Sequence, residues 1–118
     1  MASWEEFERQ APDVAAGGRA TLFRSEGGDA LLATVAGGGL PRIHPVNVGI
    51  VDGLLLVFVQ EWSAKAKDLR VDGRYALHAV PYPAEPHEFA VRGRARLVAD
   101  PTLRAEAVGA WPFRPGED

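Results

Sequence analysis

The sequence predicts a mainly β, α+β fold, an antiparallel sheet curled into a small barrel, with helices at both ends of the chain and one in the middle. Three observations carry this. From Ala30 onward the apolar residues repeat with a period of two, the repeat of a strand with one buried face. The strand-like segments are joined mainly by short turns, and a single helix-like stretch interrupts them, whereas parallel winding needs a helix after nearly every strand. The run Leu54-Leu55-Leu56-Val57-Phe58-Val59 is the most apolar in the chain. A twisted antiparallel sheet built around such a strand curls up to hide its edges.

Residues 3–24 read as helical in two pieces, packed as a lid over the sheet. Ser3 suits an N-cap, Glu5 and Glu6 suit a first turn, and Trp4, Phe7 and Ala11 recur at helical spacing. Pro12 opens the second piece at its first turn, with Val14, Ala15, Leu22 and Phe23 as apolar positions. Gly17-Gly18 weakens that helix by about 1 kcal/mol per glycine relative to alanine. Residues 30–35 form a short buried strand between Gly27-Gly28-Asp29 and Gly37-Gly38-Gly39. Residues 41–51 and 54–59 form a hairpin through Asp52-Gly53, the pair that favours a type I′ turn. Residues 75–80 and 88–99 supply two more strands across a proline-rich link, 81–86. Asp100-Pro101 then caps and opens a last helix, with Leu103, Ala107 and Ala110 facing inward.

Composition narrows the function classes. A chain of 118 residues fits one domain with one core, spanning 1–118, and 47% hydrophobic with 25% charged residues is the make-up of a soluble globule. A net charge of -3 lacks the clustered cationic excess that nucleic-acid backbones require. The absence of cysteine removes disulfides, thiolate nucleophiles and thiolate metal sites. No apolar run approaches a membrane span, and the acidic N-terminus lacks the basic flank of a signal peptide, so a cytoplasmic location is expected. His44, His78 and His87 have no ligand-like spacing, so no metal is expected. Glu85, Glu88 and Asp100 form no recognisable acid–base pair, and Ser25 and Ser63 sit in no nucleophile elbow, which leaves the catalytic residues unassigned.

The stretch that breaks with its surroundings is Glu61-Trp62-Ser63-Ala64-Lys65-Ala66-Lys67-Asp68-Leu69-Arg70-Val71-Asp72-Gly73-Arg74. Ser63 is a good N-cap for a helix, yet Lys65 and Lys67 fall in its first turn, where the positive end of the helix dipole disfavours cations by a few tenths of a kcal/mol each. Free N–H groups, a hydroxyl and two ammonium groups make a phosphate site. The other reading is a solvated helix face on which Asp68 compensates the lysines. In the strand before the hairpin, alternation places Arg42, His44, Val46, Val48 and Ile50 on one face and Ile43, Asn47 and Val51 on the other. Polar heads followed by apolar groups suit a flat ring whose rim needs hydrogen bonds while its faces need apolar cover. His44 reads equally as a half-buried histidine bonded to a carbonyl. Trp62 either flanks such a ring or covers the barrel mouth. Arg92, Arg94 and Arg96 alternate on one face of the last strand, either as a solvated outer face or as contacts to a partner or an anionic tail.

Taken in order, Leu32-Ala33-Thr34-Val35, Gly39-Leu40-Pro41-Arg42-Ile43-His44-Pro45-Val46, Asp52-Gly53-Leu54 and Ser63 through Leu77 resemble the pyridoxamine 5′-phosphate oxidase-like, flavin-binding split barrels. The resemblance extends from the N-terminal helix to about Leu103 and is strongest to the short bacterial members. It implies a split β-barrel of the FMN-binding type, a homodimer with FMN or a deazaflavin in a groove between subunits, and an oxidoreductase acting on a small-molecule redox substrate. It assigns the cofactor phosphate to Ser63 and Lys65, with Lys67 as the next basic position, and lays the strand of Arg42, His44 and Val46 along the ring. The alternative with the same fold is a non-catalytic protein that binds or senses a flavin, haem or other anion. Two departures stand out. Members usually continue after the Asp100-Pro101 helix into a strand that completes the barrel, so a shortened C-terminal end is expected here. Ala64 also stands where a basic residue is common, a change that weakens FMN affinity.

Overall fold

A computed structural model describes residues 3–24, 27–82, 84 and 87–110. Ser25, Glu85 and the C-terminal residues 111–118, all considered above, lie outside the described residues. The elements are α1 (Trp4–Gln10), α2 (Pro12–Leu22), β1 (Asp29–Val35), β2 (Pro41–Val51), β3 (Leu54–Phe58), α3 (Ala64–Val71), β4 (Arg74–Ala79), β5 (Ala90–Arg94) and α4 (Pro101–Ala110). The strands form one antiparallel sheet in the order β3-β2-β1-β4-β5. The sheet is curled into a half-barrel with β3 and β5 as its edges, the mainly-β α+β architecture expected of a split barrel.

Register fixes which residues share a face, because directly opposed residues of an antiparallel pair point the same way. Ala30 opposes Val46 and Ala79, Leu32 opposes His44 and Leu77, and Thr34 opposes Arg42 and Tyr75. These residues, with Val48 and its partner Val57, line the concave face. The core lies between that face and the α1–α2 lid, where Trp4, Ala15 and Leu22 are buried against Ala30, Leu32, Val46, Val48, Leu77 and Ala79. Phe89, just before β5, closes this layer against the rings of Trp4 and Phe7.

Ser3 accepts from the Glu6 N–H at 3.1 Å, which caps α1, and Pro12 stands at the first turn of α2. The turn between β2 and β3 has positive φ at both Asp52 (50°) and Gly53 (72°), the type I′ geometry that splices two right-twisted strands. The Gly53 carbonyl also accepts from the Glu5 N–H at 3.0 Å, so the hairpin turn holds the start of the lid. α4 starts with the Thr102 N–H donating to Asp100 at 3.0 Å and lies against β2, with Leu103 and Ala107 half-buried but Ala110 exposed.

Two elements differ from expectation. The last strand covers only Ala90–Arg94 of the expected 88–99, because its ladder to β4 closes with the pair Arg74–Arg94 and a final bond from the Ala95 N–H to Gly73 O at 2.7 Å. The two α2 glycines also divide in role. Gly17 faces open space, whereas a Cβ on Gly18 would collide with the Phe89 ring, so Gly18 is where the lid meets the layer beneath.

Gly17→Ala is expected to stabilise the protein by up to about 1 kcal/mol, while Gly18→Ala destabilises it through the clash with Phe89. Denaturant midpoints that moved in the same direction for both would contradict this packing. Gly53→Val is expected to cost more than about 1 kcal/mol, since a β-branched residue resists positive φ and its Cβ would meet Glu5. An unchanged melting temperature would count against it.

Candidate functional site

Of the predicted site residues, Arg42, His44 and Lys65 come together at one end of the concave face, where α3 packs on β1. The chain leaves β3 through a turn at residues 60–63 and enters α3 at Ser63. The Ser63 hydroxyl donates to Gln60 O at 2.7 Å and accepts from the Ala66 N–H at 3.2 Å. It is 7% exposed, so it works as the N-cap that sets the axis of α3, and most of its bonding capacity is used by the protein. Lys65 is half-buried in the following turn and Lys67 is exposed.

Beneath α3 lies a polar cluster that reading the sequence did not assemble. Asp68, 8% exposed, turns inward from α3 and accepts from the Thr34 hydroxyl at 2.7 Å and from Arg42 Nε at 3.0 Å. Its second oxygen faces Arg42 Nη2 at 3.4 Å. Thr34 Oγ1 also lies 3.2 Å from His44 Nε2. Arg42, His44, Thr34 and Asp68 therefore form one connected network, with Lys65 near enough to repel a charge on His44. The inward threonine was the available signal. Ala30, Leu32 and Thr34 share the buried face of β1, and a hydroxyl that ends up 1% exposed there needs a partner.

Burial pushes the His44 pKa below its ordinary 6.5, the nearby Lys65 ammonium lowers it further, Asp68 opposes the shift, and Arg42 adds to it. The imidazole is thus biased to its neutral form near pH 7, beside Arg42, Lys65 and the Asp68 carboxylate.

The other predicted residues divide. Val46 is buried in the core below the cluster. Trp62 is 75% exposed, so it covers neither the core nor a barrel mouth within the chain. Arg92, Arg94 and Arg96 are exposed. Arg94 opposes Arg74 across β4 and β5, and Asp72 chelates Arg74 at 2.7 Å, which lowers the Asp72 pKa to about 2. Among the described residues no group of three or more potential ligands could hold a metal ion. Among the described residues no helix is long and apolar enough to cross a membrane.

No protein-family model and no curated protein matches the sequence. Solved structures do share the fold. A protein of unknown function from Agrobacterium tumefaciens superposes with a TM-score of 0.67 at 23% identity, over 86% of this chain and 44% of that one. A heme binding protein from Mycobacterium smegmatis gives 0.62 at 22% identity, over 81% and 41%. A conserved hypothetical protein from Mycobacterium tuberculosis gives 0.59 at 22% identity, over 79% and 57%. This chain thus spans about half the length of each, and the shared feature is the curled antiparallel half-barrel.

Asp68→Ala is expected to cost about 1–3 kcal/mol, because the buried Thr34 hydroxyl loses its acceptor. A chemical melt that matches the parent would contradict the network. The His44 ring should titrate below 6.5, and Lys65→Ala should raise its midpoint, as followed by NMR. Between the lowered native midpoint and 6.5 the unfolded chain binds more protons than the native one, so His44 makes stability fall as the pH drops through that window. His44→Gln should remove that part of the pH dependence.

Proposed function

We propose that this end of the half-barrel holds the anionic tail of a flavin-type cofactor, FMN or a deazaflavin, and that the protein is an oxidoreductase of the pyridoxamine 5′-phosphate oxidase-like class. The observation that carries the reading is the charge balance of the cluster. Arg42 and Lys65 bring two basic side chains to the neighbourhood of one buried carboxylate, Asp68, beside the capped N-terminus of α3. The surplus is positive, and a phosphate is the group that a surplus of this shape takes.

The residues fit such a group in kind. Lys65 supplies a mobile ammonium, the first turn of α3 supplies backbone N–H groups, and Lys67 lies in the same turn as a second, exposed cation. Asp68 anchors the Arg42 guanidinium by Nε and leaves Nη1 for a ligand. On β2 a ring would meet His44, because Val46 and Val48 beyond it are covered by the α1–α2 lid. A bound flavin or deazaflavin would supply hydride or electron transfer, and the protein's part is to orient it and exclude water.

A homodimer belongs to this reading. The convex face carries Ile43, 70% exposed, next to Ala33 and, beyond it, Ala76, and Leu40 and Trp62 are exposed near the same end. Apolar surface of this kind is covered when a second copy docks, and such docking would wall the groove and give Trp62 a contact.

A second reading is favoured by one comparison. A neighbour with the same half-barrel is a heme binding protein, so a non-catalytic protein that binds or senses a flavin, haem or other anion is the competing class.

Lys65→Glu should abolish binding of FMN or deazaflavin while leaving the circular dichroism spectrum unchanged; titration curves equal to the parent's would refute the phosphate reading. Solution scattering should report a dimer at micromolar concentration, and a monomer would count against the shared groove. Tight binding without oxidation or reduction of the bound cofactor, or a Soret band with haem and no flavin binding, would favour the competing class.

A further inference from the structure

The four-residue cluster contains enough donors and acceptors to fix where its hydrogens lie. Arg42 has only donors, and it presents Nε to Asp68 Oδ2 at 3.0 Å and Nη2 to Oδ1 at 3.4 Å. Both carboxylate oxygens are therefore acceptors. Thr34 Oγ1 lies 2.7 Å from Oδ2, and its hydroxyl carries a single hydrogen, so that hydrogen points to Asp68. What remains on Thr34 Oγ1 is a lone pair, facing His44 Nε2 at 3.2 Å. Nε2 must then carry a hydrogen.

The geometry points to Thr34 and Asp68 as positioning residues that hold neutral His44 in the Nε2–H form, so that its Nδ1 lone pair is the acceptor offered to a ligand. Nδ1 has no hydrogen-bond partner among the described residues, and the ring is half-buried on the concave face beside Arg42 and Lys65. A molecule that meets His44 there has to bring the hydrogen itself, as an N–H or O–H group set beside its anionic part. A bare carboxylate, carbonyl or ether oxygen at that point faces a lone pair and is rejected. The tautomer follows from the four side chains alone, whereas what it asks of a ligand rests on the proposal that this end of the sheet is the cofactor site.

The charged groups around the ring are Arg42 on its own strand and Lys65 and Asp68 on α3. Thr34 transmits the pull of Asp68, because a hydroxyl that donates to a carboxylate is a better acceptor on its other side. Thr34→Val keeps the shape of the side chain and removes that acceptor, and Thr34→Ser restores it.

The test is long-range proton–nitrogen NMR of ligand-free protein with 15N-labelled histidine, at a pH where His44 is neutral. The parent and Thr34→Ser should show one His44 form, with Nε2 protonated and Nδ1 bare. Thr34→Val should lose the single-tautomer pattern, gain the Nδ1–H form, and titrate at a lower pH, since the imidazolium also loses its acceptor. A parent that carries its hydrogen on Nδ1, or a Thr34→Val spectrum identical to the parent's, would overturn the assignment. FMN added to the parent separates the two readings. Failure to bind, with the Nε2–H pattern intact, removes the flavin proposal and leaves the tautomer standing, whereas an Nδ1–H pattern removes the tautomer whether or not FMN binds.

Discussion

The carboxylate of Asp68 is the constraint on which the rest of this end of the molecule depends. It is the one acid turned inward from α3, and it joins the helix to β1 through Thr34 and to β2 through Arg42. An isolated buried carboxylate would be expensive, and three donors offset that cost while the guanidinium supplies the opposite charge. Because Arg42 is itself 45% exposed on its side chain, the pair is worth less than a fully buried one. Its value lies in geometry. With Asp68 docked, the first turn of α3 is held over the concave face, with Lys65 close enough to disfavour a charge on His44.

This arrangement separates two roles that proximity in sequence had merged. Ser63 and Lys65 stand two residues apart at the start of one helix, and reading from the chain makes both of them phosphate ligands. In the structure Ser63 is spent largely on the cap, with its hydrogen given to Gln60 and its oxygen to the Ala66 amide, while Lys65 stays available. The cap is no less necessary for that. It sets the helix axis, and the axis decides which side chains of α3 face the strands.

Local features were the legible ones. The Asp52-Gly53 turn, the alternation along β2, the caps of α1 and α4 and the glycine brackets around β1 each depend on residues a few positions apart, and each is found where the chain predicts it. Of the two sequence readings of this helix, the one that makes Asp68 a solvent-facing counter-charge to the lysines fails, because its partners, Thr34 and Arg42, come from strands far back in the sequence. The length of the last strand was also illegible. Residues 88–99 alternate well enough to continue, but only pairing to β4, with Arg94 set against Arg74, determines that the ladder stops. Gly17-Gly18 looked like a uniform weakness in α2, and only the position of Phe89 distinguishes a tolerated glycine from a required one.

The lid has a consequence for how the protein is made. Trp4 and Phe7 are synthesised well before Phe89, the ring that closes their layer beside an edge of the sheet. Until Phe89 has been made, the two aromatics lack this part of their cover, even though the hairpin that accepts the Glu5 N–H at Gly53 is already in the chain. A nascent chain stalled between the hairpin and residue 89 would carry α1 without that ring over its aromatic face, a form suited to capture by a holdase or to sticking to its neighbours.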